Sequence, residues 1–304
     1  MARRRLTKQQ KSRIAKIHED RRQRAAATAD QALAESTDDV QQTGRVVVRH
    51  GRSLLLRAAD GRSVHAVFRA NVGEVVCGDT VLWQQTPDGG GVVVAVQPRQ
   101  TALTRPDYVG KEKAIAANIS QLVVVLAPHP EPTGYLLDQY LVAAERIGVV
   151  GLICLNKSDL LDDNARRAFR LRFAHYEAIA YPVIQISAKS EHGLDPLLEC
   201  LRERTSILVG QSGVGKSSLV QALLPDVDIR TGALSQVTGL GRHTTTVTML
   251  YHLPDGGDLI DSPGVRDFSL SPVAVDRLAQ GFREFRPYLG QCRFHNCRHA
   301  GEPG

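Results

Sequence analysis

The stretch from position 206 to 224 reads SILVGQSGVGKSSLVQALL and decides the fold. An apolar run typical of a buried strand leads into a glycine-rich loop. A mixture of apolar and polar residues that is typical of a helix follows. The loop fits the pattern Gly-x-x-x-x-Gly-Lys-Ser, whose backbone N–H groups surround phosphate while the lysine reaches the terminal phosphates and the serine oxygen binds magnesium. The sequence therefore predicts an α/β domain of the P-loop nucleotide-binding class.

The predicted phosphate-binding residues are consecutive in this loop: Gly210, Gln211, Ser212, Gly213, Val214, Gly215, Lys216, Ser217 and Ser218. Lys216 is also a predicted catalytic residue, because its ammonium group reaches the phosphates that react. Ser217 is a predicted magnesium ligand.

Two further segments indicate which base is bound. Asn156-Lys157-Ser158-Asp159 directly follows the apolar run 151–155, and Ser187-Ala188-Lys189 ends another apolar run. The Asp159 carboxylate can accept two hydrogen bonds from the ring and exocyclic N–H groups of guanine, and adenine offers no such pair. The Ala188 N–H can bond the guanine carbonyl oxygen. All seven residues are predicted to bind GTP, and this argues against a kinase or ATPase that uses ATP.

Magnesium and the γ-phosphate have candidate partners later in the chain. Asp261-Ser262-Pro263-Gly264 follows an apolar pair, and we expect Asp261 to hold magnesium through water and the Gly264 N–H to contact the γ-phosphate. The polar loop 239–246, GLGRHTTT, contains three threonines, one of which could complete the magnesium shell when GTP is bound. Thr245 is the predicted ligand and, like Lys216, a predicted catalytic residue. An ordinary glycine-rich loop is the alternative interpretation.

The order of these elements is unusual. An ordinary GTPase presents the phosphate loop before the guanine-reading segments, whereas here Asn156 and Ser187 precede Gly210. A binding site needs positions on a sheet and not an order along the chain, so the sequence predicts a circularly permuted domain.

The region around these motifs alternates between strand and helix patterns, which predicts a mostly parallel sheet with helices on both faces. The predicted strands are 121–127, 149–155, 181–186 and 206–209, and the predicted helices are 133–147, 164–179 and 194–202.

A different pattern precedes this region. Five short β-branched runs separated by turns predict a small closed barrel, and the oligonucleotide-binding (OB) fold is the commonest five-stranded barrel. The runs are 45–48, 53–56, 64–67, 79–83 and 92–96. A barrel that serves only as a spacer is the alternative.

The amino-terminal segment is strongly basic. Between Arg3 and Arg24, ten basic residues face two acidic ones, and this surplus of eight exceeds the net charge of +6 of the whole chain. Few apolar residues occur there, so we expect a mobile arm that contacts the phosphates of a nucleic acid, with a solubilising tail as the alternative. No apolar run is long enough for a membrane span or a secretory signal, and we expect a cytoplasmic protein.

The carboxyl-terminal segment contains closely spaced metal ligands. Cys292, Cys297 and His299 combine thiolates and an imidazole, which is a familiar arrangement for zinc. A structural site needs four ligands, so the fourth is either His295 or a residue beyond Gly304. Two thiols beside incidental histidines are the alternative.

Together these motifs resemble the ribosome small-subunit-dependent GTPase A family, RsgA or YjeQ. The residues that carry the resemblance are the phosphate loop 210–217, the loop 239–246, Asp261-Ser262-Pro263-Gly264-Val265-Arg266 and the cysteine-rich end. The resemblance implies a circularly permuted α/β P-loop GTPase domain with an amino-terminal OB-type barrel and a carboxyl-terminal zinc-binding segment.

The resemblance also implies a function and partners. It implies a monomeric, cytoplasmic GTPase that uses Mg²⁺ and binds the small ribosomal subunit and its rRNA during late maturation. The subunit would stimulate hydrolysis of GTP to GDP and phosphate, and the GTPase would leave on hydrolysis. An RNA-binding assembly chaperone in which the nucleotide only stabilises the fold is the competing function.

The family pattern divides the chain into a basic arm (1–41), a barrel (42–104), the GTPase domain (105–269) and the zinc segment (270–304). Its zinc ligands match Cys292, Cys297 and His299, with the fourth expected at position 305, so we expect a truncated zinc site. Val265 replaces the glutamine that orients water in many GTPases. We hypothesise that His243 orients the attacking water instead.

Overall fold

The computed structural model describes residues 40–106, 110–190, 192–225, 248–262, 275–294 and 297. The chain forms two compact units, Met1–Arg99 and Gln100–Gly304, and each is described by itself. Within the described ranges, no helix combines the length and the apolar character needed to cross a membrane. The predicted arm falls almost entirely outside these ranges.

The first unit is a closed five-stranded barrel. Its strands pair in the order β1-β2-β3-β5-β4, and β4 returns to pair with β1. Only β3 and β5 run parallel, while the other neighbours are antiparallel. The strands are β1 (Gln42–His50), β2 (Ser53–Ala58), β3 (Ser63–Phe68), β4 (Thr80–Gln85) and β5 (Gly91–Val96). The predicted OB-type barrel is therefore confirmed.

Alternating side chains fill the barrel interior. Val46, Leu56 and Trp83 are fully buried, as expected where every second residue of a strand faces inward. Gly91 allows the backbone to pass beside the indole, since a Cβ there would lie 2.7 Å from Trp83 Cε3. A short 3₁₀ helix at Ala70–Val72 lies between β3 and β4.

The second unit contains an α/β sheet and a separate hairpin. Its helices are α1 (Gly134–Ile147), α2 (Asp163–Leu171), α3 (Ala174–Ala178), α4 (Asp195–Leu201), α5 (Lys216–Leu223) and α6 (Val275–Gln280). Its strands are β6 (Ala102–Pro106), β7 (Glu112–Ala117), β8 (Gln121–Leu126), β9 (Val150–Leu155), β10 (Val183–Gln185), β11 (Thr205–Val209), β12 (Met249–His252) and β13 (Asp258–Asp261). Among the described residues of this unit, 3₁₀ helices lie at Ser158–Leu160 and Arg283–Tyr288.

The sheet of this unit has the strand order β10-β9-β8-β11-β13-β12. All neighbours are parallel except β12, which runs antiparallel to β13. The strand before the phosphate loop, β11, therefore lies between β8, which comes earlier in the chain, and β13, which comes later. The predicted mostly parallel sheet is confirmed.

Two local features differ from the sequence prediction. The helix expected over 164–179 is divided into α2 and α3, because the Phe173 N–H bonds to Arg170 O and the chain tightens there while Phe169 and Phe173 pack edge to face. The hairpin of β6 and β7 was not predicted, since its sequence mixes charged residues and alanine without a strong strand pattern.

Candidate nucleotide-binding site

The predicted nucleotide-binding motifs meet at one edge of the sheet. Because β8, β9, β10, β11 and β13 are parallel, their carboxyl ends lie along the same edge. The phosphate loop follows β11, Asn156 follows β9, Ser187 closely follows β10, and Asp261 ends β13. Ligands of open α/β sheets bind at this edge, so the permuted motifs are assembled where such a ligand binds.

Two positions of the loop require glycine because atoms of other residues approach the backbone closely there. Gly210 has φ of 138°, and a Cβ there would lie 2.3 Å from the carbonyl oxygen of Val125. Gly215 has φ of 99°, and a Cβ there would lie 2.5 Å from Asn156 Nδ2. Any side chain at either position would collide with atoms of the neighbouring strand ends, so the loop shape depends on glycine.

The side chain of Lys216 reaches back onto the loop. Its Nζ donates hydrogen bonds to the carbonyl oxygens of Gly210, at 2.5 Å, and Gln211, at 2.6 Å. Lys216 is also the first residue of α5, where backbone N–H groups and the helix dipole favour an anion. Ser217, the next residue, is exposed. A cation, the N–H groups at the start of a helix and a hydroxyl are thus presented together.

Asn156 connects the predicted guanine-binding segment to the phosphate loop. Its side chain is 2% exposed, and its Nδ2 donates to Val214 O at 2.9 Å. The Oδ1 atom is buried and has no hydrogen-bond partner among the described residues, so an acceptor remains available to another donor. The bond fixes the loop relative to the carboxyl end of β9.

Lys157 also donates hydrogen bonds to the phosphate loop. The residue adopts a left-handed conformation with φ of 60°, and its Nζ donates to Gly213 O at 2.6 Å and to His129 O at 3.1 Å. The loop after β8 is thereby connected to the phosphate loop. The sequence pattern gave no indication that His129 takes part, because only its backbone carbonyl is used.

Asp159 and Ser187 form the part of the site suited to a base. Ser187 is 1% exposed and donates from Oγ to Asp159 Oδ1 at 2.7 Å, while the Asp159 side chain is exposed. The Lys189 N–H donates to Ser187 Oγ at 3.2 Å. The serine thus orients a carboxylate that still has lone pairs for further donors. The Ser158 N–H bonds to Ile186 O at 3.1 Å and joins the two segments.

A glycine that the motifs did not identify shapes the turn after Ser187. The Ser187 N–H donates to Gly193 O at 3.1 Å, and a Cβ on Gly193 would lie 2.3 Å from Ser187 O. The turn that carries Ala188 and Lys189 is therefore closed by a backbone contact that only glycine permits.

Asp261 and Ser262 lie at the end of β13, beside the strand that leads into the phosphate loop. The last paired position is Ile207 with Ile260, and Asp261 follows it directly. Ser262 is buried, and its Oγ is 2.8 Å from Thr248 Oγ1. This bond joins the residues that flank β12 and β13, another contact that the sequence did not predict.

Several predicted site residues lie outside the described residues. These are His243, Thr245, Gly264 and His299. Cys292 and Cys297 are described and half-buried, and the described ranges contain no group of three or more His, Cys, Asp or Glu residues that could hold a metal ion. The zinc site therefore stays a prediction.

The other cysteines are packing residues. Cys77 and Cys154 are buried, while Cys200 is half-buried. Burial raises the pKa of the Cys154 thiol well above its usual range, so this thiol stays protonated. It lies within β9, two residues before Asn156, and contributes to the core beneath the site.

Comparisons with known proteins agree with this geometry. The family model for the RsgA GTPase matches residues 96–271. The chain is 47% identical to the small ribosomal subunit biogenesis GTPase RsgA of Hahella chejuensis, covering 100% of this chain and 89% of the relative. It is also 47% identical to the protein of the same name from Pseudomonas aeruginosa, covering 100% of this chain and 91% of the relative.

Solved structures show the same likeness. The crystal structure of YjeQ from Thermotoga maritima matches with a TM-score of 0.69 and 28% identity, covering 87% of this chain and 88% of that chain. The structure of YloQ, described as a circularly permuted GTPase, matches with a TM-score of 0.68 and 25% identity, covering 88% of this chain and 86% of that chain. The permuted order of motifs is thus shared with these structures.

Proposed function

The chain belongs to the RsgA GTPase family, and from this premise we propose that it binds the small ribosomal subunit and acts late in that subunit's maturation. It is a GTP hydrolase. The subunit stimulates hydrolysis of GTP to GDP and phosphate, and the protein leaves the subunit once hydrolysis has occurred. Relatives named for small-subunit biogenesis match the chain over its whole length, and this supports the assignment.

The observation that carries the nucleotide assignment is the bond from Asn156 Nδ2 to Val214 O. It ties the segment that contains Asp159 to the loop that surrounds phosphate. One molecule with a guanine at one end and phosphates at the other fits both segments at once. GTP and GDP satisfy this requirement, and the Asp159 carboxylate favours guanine over adenine.

The phosphate end of the site suits magnesium. Ser217 supplies an exposed hydroxyl and Asp261 a carboxylate at the same sheet edge, and hard oxygen donors of this kind are those that Mg²⁺ prefers. Bound magnesium neutralises charge on the β- and γ-phosphates. Lys216 adds a cation beside the same phosphates. Thr245 stays the predicted further ligand in the GTP state.

The residue that orients the attacking water is a separate part of the proposal. Val265 has no hydrogen-bonding side chain, so unaided hydrolysis should be slow. His243 is our candidate for this role, with its loop ordered by contact with ribosomal RNA.

The ribosomal partner is supported by charge and by the barrel. The arm carries a surplus of basic residues. On the barrel, the guanidinium groups of Arg49 and Arg52 lie 5.2 and 5.9 Å from the ring centre of Phe68, so two cations occupy one small surface. Phosphate groups of RNA fit such a surface. We place the protein in the cytoplasm, where it acts as a monomer. The proposal also includes a zinc ion bound by Cys292, Cys297 and His299.

Hydrolysis assays test this function. GTP and ATP turnover are measured with and without purified small ribosomal subunits, and large subunits serve as the control. Stimulation of GTP turnover by small subunits alone supports the proposal. Tight binding to small subunits without stimulation would instead indicate an RNA-binding assembly chaperone, and turnover of ATP at the same rate as GTP would contradict the guanine assignment.

A further inference from the structure

The carboxyl-terminal segment, defined here as residues 281–288, packs against helix α1 of the GTPase domain. Gly281 is buried, and a Cβ there would lie 2.6 Å from Val142 Cγ1, so the backbone of the segment rests directly on α1. Phe282 lines a small cleft together with Leu141, Tyr176 and Tyr181. The segment is therefore docked onto the nucleotide-binding unit.

Arg283 makes the principal polar contacts of this docking. Its Nε donates to Glu145 Oε1 at 2.7 Å, and the Glu145 side chain is only 8% exposed. Its Nη1 donates to Ala180 O at 2.6 Å and to Ile179 O at 3.4 Å. Its guanidinium carbon lies 3.8 Å from the ring centre of Tyr181. One side chain thus contacts both the end of α1 and the turn after α3.

The turn that Arg283 contacts has an unfavourable backbone conformation. Ala180 has φ of 64°, a left-handed conformation that residues with a Cβ rarely adopt. The turn's carbonyl groups at Ile179 and Ala180 are the groups to which Arg283 donates. Arg283 therefore donates to the carbonyl groups of this turn and stabilises it, although the sequence of the turn does not favour the conformation.

This turn leads into β10, the strand that precedes the predicted guanine-binding residues Ser187, Ala188 and Lys189. β10 has three residues, and in the described sheet it lies at the edge and pairs with β9. Tyr181 lies just before it and Ser187 just after it, a separation of about 20 Å in extended chain. The start of this strand is held by the backbone bond from Tyr181 N–H to Tyr176 O, at 2.9 Å. Arg283 adds its bonds to the turn and its contact with the Tyr181 ring.

We propose that Arg283 is a positioning residue for guanine recognition, and that its clamp with Glu145 and Tyr181 makes guanine binding and docking of the carboxyl-terminal segment depend on each other. The inference rests on the proposed nucleotide site and adds its regulation. Thermodynamic linkage requires that coupling of this kind be reciprocal, so a partner that moves the segment changes guanine affinity.

The test compares Arg283→Ala with Arg286→Ala as the matched control. Arg286 also bonds to Glu145, but its other bond is to Gln280 O and not to the turn. Dissociation constants are measured by calorimetry for GDP and for pyrophosphate, which lacks the base. We expect Arg283→Ala to weaken GDP binding at least about fivefold with pyrophosphate binding unchanged, and Arg286→Ala to leave both unchanged. Equal losses for both ligands, or no loss of GDP binding, would overturn the clamp.

A second measurement needs no variant. Amide hydrogen exchange over residues 281–288 of the wild-type chain is compared without ligand, with pyrophosphate and with GDP. The clamp predicts slower exchange with GDP than in the other two conditions. GDP binding without this change would refute the clamp and leave the proposed function intact, whereas a chain that does not bind GDP would refute the proposed function itself.

Discussion

The side-chain Nδ2 of Asn156 donates to the carbonyl oxygen of Val214 at 2.9 Å, across 58 positions of the chain. The donor belongs to the same short segment as Asp159, whose carboxylate is predicted to bind the base, and the acceptor lies within the phosphate loop. The segments predicted to bind the base and the phosphates are thus mechanically joined by a bond within the protein itself.

Replacing Asn156 with alanine should weaken GDP and GTP binding together. The variant leaves Val214 O without its donor and a cavity between the two segments, and an unsatisfied buried group costs about 1 to 3 kcal/mol. We expect about a tenfold or greater rise in the dissociation constant, since 1.4 kcal/mol corresponds to tenfold. Calorimetric titration measures it. Asn164→Ala, at an exposed position of α2, is the control and should bind normally.

Replacing Asp159 with asparagine should switch the base specificity from guanine to xanthine. An amide N–H can donate to the second carbonyl of xanthine, whereas it repels the amino group of guanine. GDP affinity should fall at least about a hundredfold, because the polar groups of the base are left unpaired, and affinity for xanthosine diphosphate should rise. Competition binding with both nucleotides measures the exchange. Asp255→Asn, at an exposed turn position, should change neither affinity; a parallel loss for both bases would contradict the role of Asp159.

Replacing Gly215 with alanine should abolish nucleotide binding. The new Cβ would lie 2.5 Å from Asn156 Nδ2, in addition to requiring a left-handed alanine. Gly51→Ala is the matched control, because Gly51 also has positive φ, at 62°, but has nothing within 4 Å of the added carbon. The control should lose about 1 to 2 kcal/mol of stability and keep full GTP affinity. Equal behaviour of the two variants would show that backbone conformation alone explains the glycine.

Replacing Arg99 with alanine should destabilise the barrel. Asp79 is 0% exposed and accepts two hydrogen bonds from Arg99, at 2.7 and 3.0 Å. Removing the arginine leaves a buried carboxylate without its cation, which costs about 3 kcal/mol. Urea unfolding followed by Trp83 fluorescence measures the change. Arg62→Ala removes the exposed pair with Asp60 and should give no measurable change.

Replacing His243 with alanine should abolish turnover stimulated by the small ribosomal subunit and leave GTP affinity intact. The expectation follows from a water-orienting role that acts only during hydrolysis. Single-turnover hydrolysis with saturating subunits, together with equilibrium binding of GTP, measures both quantities. Unchanged stimulation would remove His243 from the mechanism.

The prediction of the nucleotide site rests on local motifs. The glycine spacing of the phosphate loop and the residues around Asp159 and Ser187 are each contained in a few consecutive positions, and each follows an apolar strand. The sheet edge that unites them follows from parallel strands. The five short strands of the barrel were predictable for the same reason, because turn residues mark their ends.

Contacts between distant positions were not predictable. Arg283, Glu145 and Tyr181 come from three separate elements, and no spacing in the sequence links them. The division of the helix at Phe173 likewise depends on aromatic packing that a helical pattern does not reveal. Backbone groups such as His129 O act regardless of side-chain identity, so composition gives no signal for them.

The placement of β11 between β8 and β13 has a consequence for biosynthesis. Strands β8, β9 and β10 leave the translating ribosome first and can pair with one another, but the β8 edge waits for a strand that is made later. An unpaired edge of this kind invites association with other chains. Strand β11 then arrives together with the phosphate loop and covers the β8 edge, while its own second edge waits for β13. The nascent chain therefore carries its phosphate loop before the sheet and the carboxylate of Asp261 are in place.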